Sequence, residues 1–151
     1  MIRIERTNSE NTDFQQLVLE LDKDLAIRNG EMNDFFAQFN KIDKIQHVVV
    51  AYEGEQAVGC GAMKPLETTI MEIKRMFVPA NQRGKGIASK VLRELEQWAS
   101  ELGYEKCLLE TGDKMPEAIG LYKKNDFKVI PNYGQYAEVE SSICFEKIIT
   151  I

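Results

Sequence analysis

One stretch restricts this chain more than any other. Residues 72–88 read Glu-Ile-Lys-Arg-Met-Phe-Val-Pro-Ala-Asn-Gln-Arg-Gly-Lys-Gly-Ile-Ala, an apolar strand-like run halted by Pro79, then a turn containing Gly84 and Gly86, then the start of an amphipathic pattern. A strand that feeds a glycine-bearing turn and opens directly into a helix leaves the helix's first backbone N–H groups without partners, and the helix dipole adds partial positive charge there. Gly84 and Gly86 remove side chains that would obstruct a phosphate, and Arg83 and Lys85 add cationic groups. The chemistry is that of a pyrophosphate cradle. The nucleoside-triphosphate loop GxxxxGK[ST] is absent, and of the dinucleotide fingerprint GxGxxG only Gly84 and Gly86 match.

The surrounding pattern sets the fold class. Residues 2–6 alternate and read as a first strand. Polar residues 8–11 offer a helix cap, and Phe14, Leu17, Val18, Leu21 and Leu25 then share one helical face, with Asn29-Gly30 as its stop. Phe35, Phe36 and Phe39 suggest a second short helix, either core or a lid. Residues 47–52 are a β-branched strand, 53–56 a turn, 57–63 a strand whose Gly59, Gly61 and Ala62 permit close packing, and 68–78 a long strand, together an antiparallel meander. The helix predicted over 85–102 buries Ile87, Val91, Leu95, Trp98 and Leu102 and stops at Gly103. A strand at 106–111, a helix at 116–125 with Pro116 in its first turn, and strands at 127–130 and 142–149 complete the chain. The expected architecture is a single α/β (α+β) domain over residues 1–151, a mixed, mostly antiparallel sheet flanked by helices.

With 151 residues, 44% apolar and 28% charged, the chain is an ordinary globular sequence. Its net charge of −5 argues against a nucleic-acid-binding surface. Residues 1–5 do not resemble a signal peptide, and no apolar run is long enough to span a bilayer, so a cytoplasmic location with no membrane association is the expectation. Cys60, Cys107 and Cys144 lie in apolar stretches without CxxC spacing and read as buried thiols. His47, the sole histidine, reads as structural or surface, with no metal site around it. The acidic run Glu20, Asp22, Asp24 reads as a solvated helix face.

These motifs resemble those of the GNAT superfamily of N-acetyltransferases. That family's acetyl-CoA loop, Gln/Arg-x-x-Gly-x-Gly/Ala, is matched by Arg83, Gly86 and Ala88, and its Val-x-Pro strand end and apolar helix spacing are echoed at Val78 and Val91. Downstream, residues 117–127 (Glu-Ala-Ile-Gly-Leu-Tyr-Lys-Lys-Asn-Asp-Phe) resemble Ala-x-x-Leu-Tyr-x-x-x-Gly-Phe, with Asp126 replacing the usual glycine and Met115 standing where many members carry asparagine. The resemblance implies acetyl-CoA or coenzyme A as cosubstrate, bound by Met76, Phe77, Val78, Arg83, Gly84, Lys85, Gly86, Ile87 and Ala88. It implies a bulged strand at 72–78 splayed from the strand at 108–111, so that a pantetheine arm inserts like an extra strand and an N–H near Val78 polarises the acetyl carbonyl. It implies Tyr122 as the general acid toward the leaving thiolate. Glu72 is the expected general base for an acceptor ammonium, directly or through water, with Glu110 as the other candidate; an ion pair of Glu72 with Lys74 or Arg75 is the competing reading. The implied partner is a small-molecule primary amine, with a homodimer conceivable through the apolar last strand. Rival readings are a non-catalytic acyl-CoA sensor on the same fold and an interaction protein docking through Phe35, Phe36 and Phe39.

Overall fold

A computed structural model describes residues 1–30 and 44–149. The suggested Phe35, Phe36 and Phe39 helix lies outside the described residues. The element order is β1 (Ile2–Thr7), α1 (Thr12–Asn29), β2 (His47–Glu53), β3 (Gln56–Glu67), β4 (Ile70–Phe77), α2 (Ile87–Glu101), β5 (Lys106–Gly112), α3 (Pro116–Lys124), β6 (Lys128–Ile130) and β7 (Ser142–Ile148), with short 3-10 turns at Ala80–Gln82 and Gly134–Tyr136. Seven strands form one sheet in the order β1-β2-β3-β4-β5-β7-β6. Only β4 and β5 run parallel; the other neighbours are antiparallel. The expected meander and mixed sheet are both present.

The two-residue period of β2 shows how the layers are arranged. Val48, Val50 and Tyr52 pack with Phe14, Leu17 and Val18 of α1. Val49 and Ala51 point the other way and join Ile87, Val91, Leu92 and Leu95 of α2 and Tyr122 of α3. Alternation along a strand places successive side chains on opposite faces, so α1 covers one face of the sheet and α2 and α3 the other. This is why His47–Glu53 is apolar at nearly every position rather than at alternate ones.

Local signals act as expected at most ends. Asn11 caps α1 by accepting the Phe14 N–H at 2.8 Å, and Gly103 takes φ +92 after α2. Asp126 occupies a left-handed position, φ +71, so the aspartate adopts the glycine geometry of the matching motif. Three expectations need correction. β3 runs through Pro65 to Glu67, where its register against β4 shifts and a proline N–H is not required. In α2 the fully buried positions include Leu92 and Ala99, whereas Trp98 is half-buried and Leu102 is 46% exposed, because the helix ends at Glu101 before Leu102 returns to the sheet. Asp22 is not merely solvated; it forms an ion pair with buried Arg75.

All three cysteines are buried free thiols, and burial pushes the Cys60 and Cys107 thiols up to about 12. His47 rests edge-on against Trp98 with ring centroids 4.9 Å apart. Among the described residues no group of three or more His, Cys, Asp or Glu side chains is placed to hold a metal, and no helix is long and apolar enough to cross a membrane.

Gly59 and Gly61 bring α2 down onto β3. A Cβ at Gly61 would lie 2.5 Å from Met76 Sδ and 2.9 Å from both Leu95 Cδ1 and Val91 Cγ1. Gly61→Ala is therefore expected to destabilise the fold by about 1–3 kcal/mol through overpacking. The measurement is chemical denaturation, with a lower midpoint and an unaltered slope; an unmoved midpoint would mean that α2 does not press on β3 as described.

Candidate active site

The site is made by a strand that leaves its neighbour. β4 pairs with β5 over three positions only, Ile70↔Lys106, Met71↔Cys107 and Glu72↔Leu108. Beyond them β5 continues to Gly112 beside β7, and β4 continues to Phe77 beside β3. On that side the β3 register steps from Ala62↔Lys74 to Cys60↔Phe77, two residues against three, which is a β-bulge in β4. Arg75 sits in it at φ +59, and the Cys60 thiol donates to its carbonyl at 3.5 Å. The bulge and splay expected of residues 72–78 are both present.

The bulge turns consecutive side chains, Lys74 and Arg75, toward the α1 face. Arg75 is buried, its Nη2 donating to Asp22 on α1. Around the resulting gap lie two connected hollows. One, on the α1 side, holds about 110 Å³ and is lined by Glu72, Lys74, Arg75, Glu110, Tyr122 and Tyr136 among others. The second is a groove of about 360 Å³ running over Met76, Phe77 and Val78 of β4, the 82–89 loop and helix start, and the near side of α3. Leu21, Met76, Met115, Ala118 and Tyr122 line both. Residues from helices packed on opposite faces of the sheet thus line both hollows, beside the opening between β4 and β5.

At the groove's far end α2 begins at Gly86, in left-handed geometry (φ +78), with no side-chain cap. Gly84 is also left-handed, at φ +83, and Cβ atoms on either glycine would meet nothing within 4 Å. The glycines are required for backbone direction, and side chains added there would project into open space. Uncapped, the first-turn N–H groups of α2 face the groove lined by Gly84, Gly86, Ile87, Ala88 and Ser89. This end of the groove fits a pyrophosphate. Arg83 lines it too, but its Nε donates to Val78 O at 2.8 Å, tying the loop back onto the end of β4. The Lys85 ammonium bonds Oε1 of Gln82, a residue of the groove lining, at 2.9 Å and approaches Glu53 at 3.8 Å; Lys85 itself is not among the lining residues. Gln82 and Ser89 also line the groove, and Ser89 accepts from Asn125 at 3.1 Å, which fastens the start of α2 to the end of α3.

Tyr122 is buried against Phe127 and Phe145, at centroid distances of 5.8 and 5.6 Å. Burial, and secondarily the charge of Glu110, push its phenol pKa up, so it carries its proton throughout the physiological range. Glu72 is 3% exposed, accepts the Tyr133 hydroxyl at 2.7 Å and stands 3.9 Å from Lys74 Nζ. Glu110 accepts the Ser142 hydroxyl at 2.6 Å, and burial raises its pKa. Glu72 and Glu110 therefore both reach one hollow from facing strands, and the anticipated Glu72–Lys74 pair exists as well, inside it. Tyr133 has no signal in the sequence: it arrives from the β6–β7 connection, where no periodicity marks it.

The acetyltransferase (GNAT) family model matches residues 10–127. An uncharacterized N-acetyltransferase of Bacillus subtilis, YsnE, is 36% identical over 99 residues, covering 64% of this chain and 66% of that protein, just under two thirds of its length. An IAA acetyltransferase of Azospirillum brasilense is 32% identical over 134 residues, 87% of this chain and 88% of the relative. The crystal structure of the PaiA N-acetyltransferase of Thermoplasma acidophilum in complex with coenzyme A superposes with a TM-score of 0.72 at 19% identity, covering 98% and 99% of the two chains, a likeness of fold. With the splayed β4–β5 pair, the uncapped glycine loop and a family match spanning most of its length, this chain belongs to the GNAT superfamily of N-acetyltransferases.

Proposed function

We propose that the protein transfers an acetyl group from acetyl-CoA to a primary amine by direct attack, with Tyr122 and Glu72 as the catalytic pair. The observation that carries this reading is the position of Tyr122: it lines both the groove that ends at the α2 loop and the hollow that holds Glu72. The loop at 83–88, with Gly84 and Gly86 left-handed and the α2 N-terminus uncapped, takes the cofactor's pyrophosphate. Met76, Phe77 and Val78 flank the thioester arm, which adds to the open edge of β4 as an extra strand, and backbone near Val78 orients the acetyl carbonyl.

Glu72 removes a proton from the acceptor ammonium, directly or through a water. The nitrogen lone pair forms the new N–C bond, the C–S bond breaks, and Tyr122 gives its proton to the departing thiolate. The raised phenol pKa suits a group that must hold a proton until negative charge develops beside it. The buried cysteines have raised thiol pKa values, and none lies among the residues lining either hollow, so no acyl-cysteine step is invoked.

Tyr122→Phe keeps the ring packing on Phe127 and Phe145 and removes only the hydroxyl. Turnover is expected to fall about 10²–10⁴-fold, with CoA affinity and melting temperature near those of the parent. Equal turnover would return Tyr122 to the core, and a parent that binds CoA yet acetylates no amine would favour an acyl-CoA sensor.

Glu72→Gln is expected to lower kcat/KM most near neutral pH and to recover partly as pH approaches the ordinary amine pKa of about 10, where free base is abundant. The sign follows from the substrate: the variant loses the proton acceptor, and rising pH supplies an amine already deprotonated. A uniform loss across pH would make Glu72 structural, and the pH-dependent loss appearing only in Glu110→Gln would move the role there.

Gly86→Glu places bulk and negative charge at the uncapped α2 start. Calorimetry should show CoA affinity weakened by at least about tenfold, equivalent to about 1.4 kcal/mol. Gly86→Asn, which tolerates a left-handed backbone, separates the loss of charge complementarity from backbone strain. Unchanged affinity in Gly86→Glu would remove the loop from the cofactor site.

A further inference from the structure

Two carboxylates reach the hollow on the α1 side from facing strands, Glu72 from β4 and Glu110 from β5, and one short segment supplies a hydroxyl to each. Residues 131–141 join β6 to β7. Within them Tyr133 donates to Glu72 Oε2 at 2.7 Å, and just after them Ser142, the first residue of β7, donates to Glu110 at 2.6 Å. In the sheet order β5 lies between β4 and β7, so Tyr133 reaches Glu72 across a strand.

The connection holds that phenol in place. Asn132 Nδ2 donates to the carbonyls of Val139 and Ser142, at 3.0 Å each, which closes the segment on itself. The Tyr136 N–H donates to Tyr133 O at 2.9 Å, and the two rings meet edge to face with centroids 5.9 Å apart. Tyr136 is buried and lines the hollow, whereas Tyr133 is not among the described residues of that lining. Tyr133 therefore touches the carboxylate and not the space an acceptor would fill. Burial, and then the charge of Glu72, push the Tyr133 phenol pKa up, so the hydroxyl keeps its proton and the bond runs from tyrosine to glutamate.

A hydrogen bond donated to a carboxylate favours its charged form. With Glu72 only 3% exposed, a protein donor takes the place that water holds at the surface. We infer that Tyr133 is a positioning residue for the base: its hydroxyl keeps the Glu72 carboxylate ionised and fixes its orientation at the hollow. The inference rests on the reading of Glu72 as base for the acceptor ammonium. A base must be unprotonated to act, so the sign is determined. Without the hydroxyl Glu72 protonates at higher pH, and the acid limb of kcat/KM moves up with it. Removing one hydroxyl leaves the charges around Glu72 as they are: Lys74 and Arg75 on β4, the latter paired with Asp22 of α1, and Glu110 on β5. The Cys144 thiol on β7 and the phenols of Tyr122 and Tyr136 are also kept.

Tyr133→Phe keeps the ring on Tyr136 and removes the hydroxyl alone. In the full chain the Glu72 carboxyl is titrated by carbon NMR, its resonance identified by its loss in Glu72→Gln. Acetyl transfer to benzylamine, isopentylamine, 1,3-diaminopropane and leucine is followed across pH by CoA thiol release. Tyr133→Phe is expected to raise the Glu72 midpoint and the acid limb of kcat/KM together by about one to two pH units, the size of a lost hydrogen bond to a charged group. Its melting temperature should stay near that of the parent. In a Glu72→Gln background the same substitution is expected to cost less than about twofold in turnover, since the charge it supports is gone. An unmoved midpoint, or an equal fold loss in both backgrounds, returns Tyr133 to the packing of its loop, while a pH-dependent loss in Glu72→Gln keeps Glu72 as the base. A midpoint that rises while the acid limb stays removes Glu72 from the proton transfer and the positioning role with it. A CoA-binding parent that acetylates none of the four acceptors overturns the acetyl-transfer reading and this assignment together.

Discussion

Beyond Glu72 and Leu108 the backbones of β4 and β5 no longer pair, and the two hollows beside them lie around that gap. A sheet interior is normally sealed by its ladder hydrogen bonds, and open backbone edges must be satisfied by some other partner. The bulge at Arg75 keeps β4 from returning to β5: the extra residue bends the strand, and Arg75, itself buried, is held in a left-handed conformation by an ion pair to the exposed Asp22 of α1 and a thiol contact from β3. The strain of a non-glycine residue at positive φ persists only where its surroundings fix it, and here they do so from two elements.

The gap also explains how chemistry from opposite faces of the sheet meets. Glu72, Lys74 and Glu110 project toward α1, while Tyr122 belongs to the core under α2 and α3. In a closed sheet a carboxylate and a phenol so placed would be separated by a layer of backbone. In this one both line a common hollow, and the groove continues from Tyr122 to the uncapped end of α2. Asn125 bridges α3 to Ser89 at the start of α2, so the helix carrying the phenol and the helix with the uncapped start are joined.

Charge is arranged with the same economy. Tyr133 donates to Glu72 and Ser142 donates to Glu110, so each buried carboxylate has a neutral hydrogen-bond partner. One cation of the hollow, Arg75, serves the architecture by fixing α1 on the bulge. The other, Lys74, stands 3.9 Å from Glu72 on the same strand. Two adjacent residues of one strand thus both face α1, which follows from the bulge that points them to the same side.

Local periodicity in the sequence determined the elements and their order. The two-residue alternation of β2, the glycines that admit α2 onto β3, the capped start of α1 and the strand–glycine turn–helix at 70–101 all follow from neighbours within a few positions, and so they were legible without a fold. The resemblance of residues 117–127 to a known motif supplied Tyr122, the glycines and cations of 83–88 marked the loop, and Glu72 came from its place on the strand feeding that loop. Tertiary structure alone decided which residues share a space. That Lys85 approaches Glu53, that Asp22 neutralises a buried arginine, and that Tyr133 donates to Glu72 depend on contacts between segments far apart in the chain. Such contacts are set by where the sheet opens and where helices end, and a side chain two residues from another reveals its face of a strand but not what waits across from it.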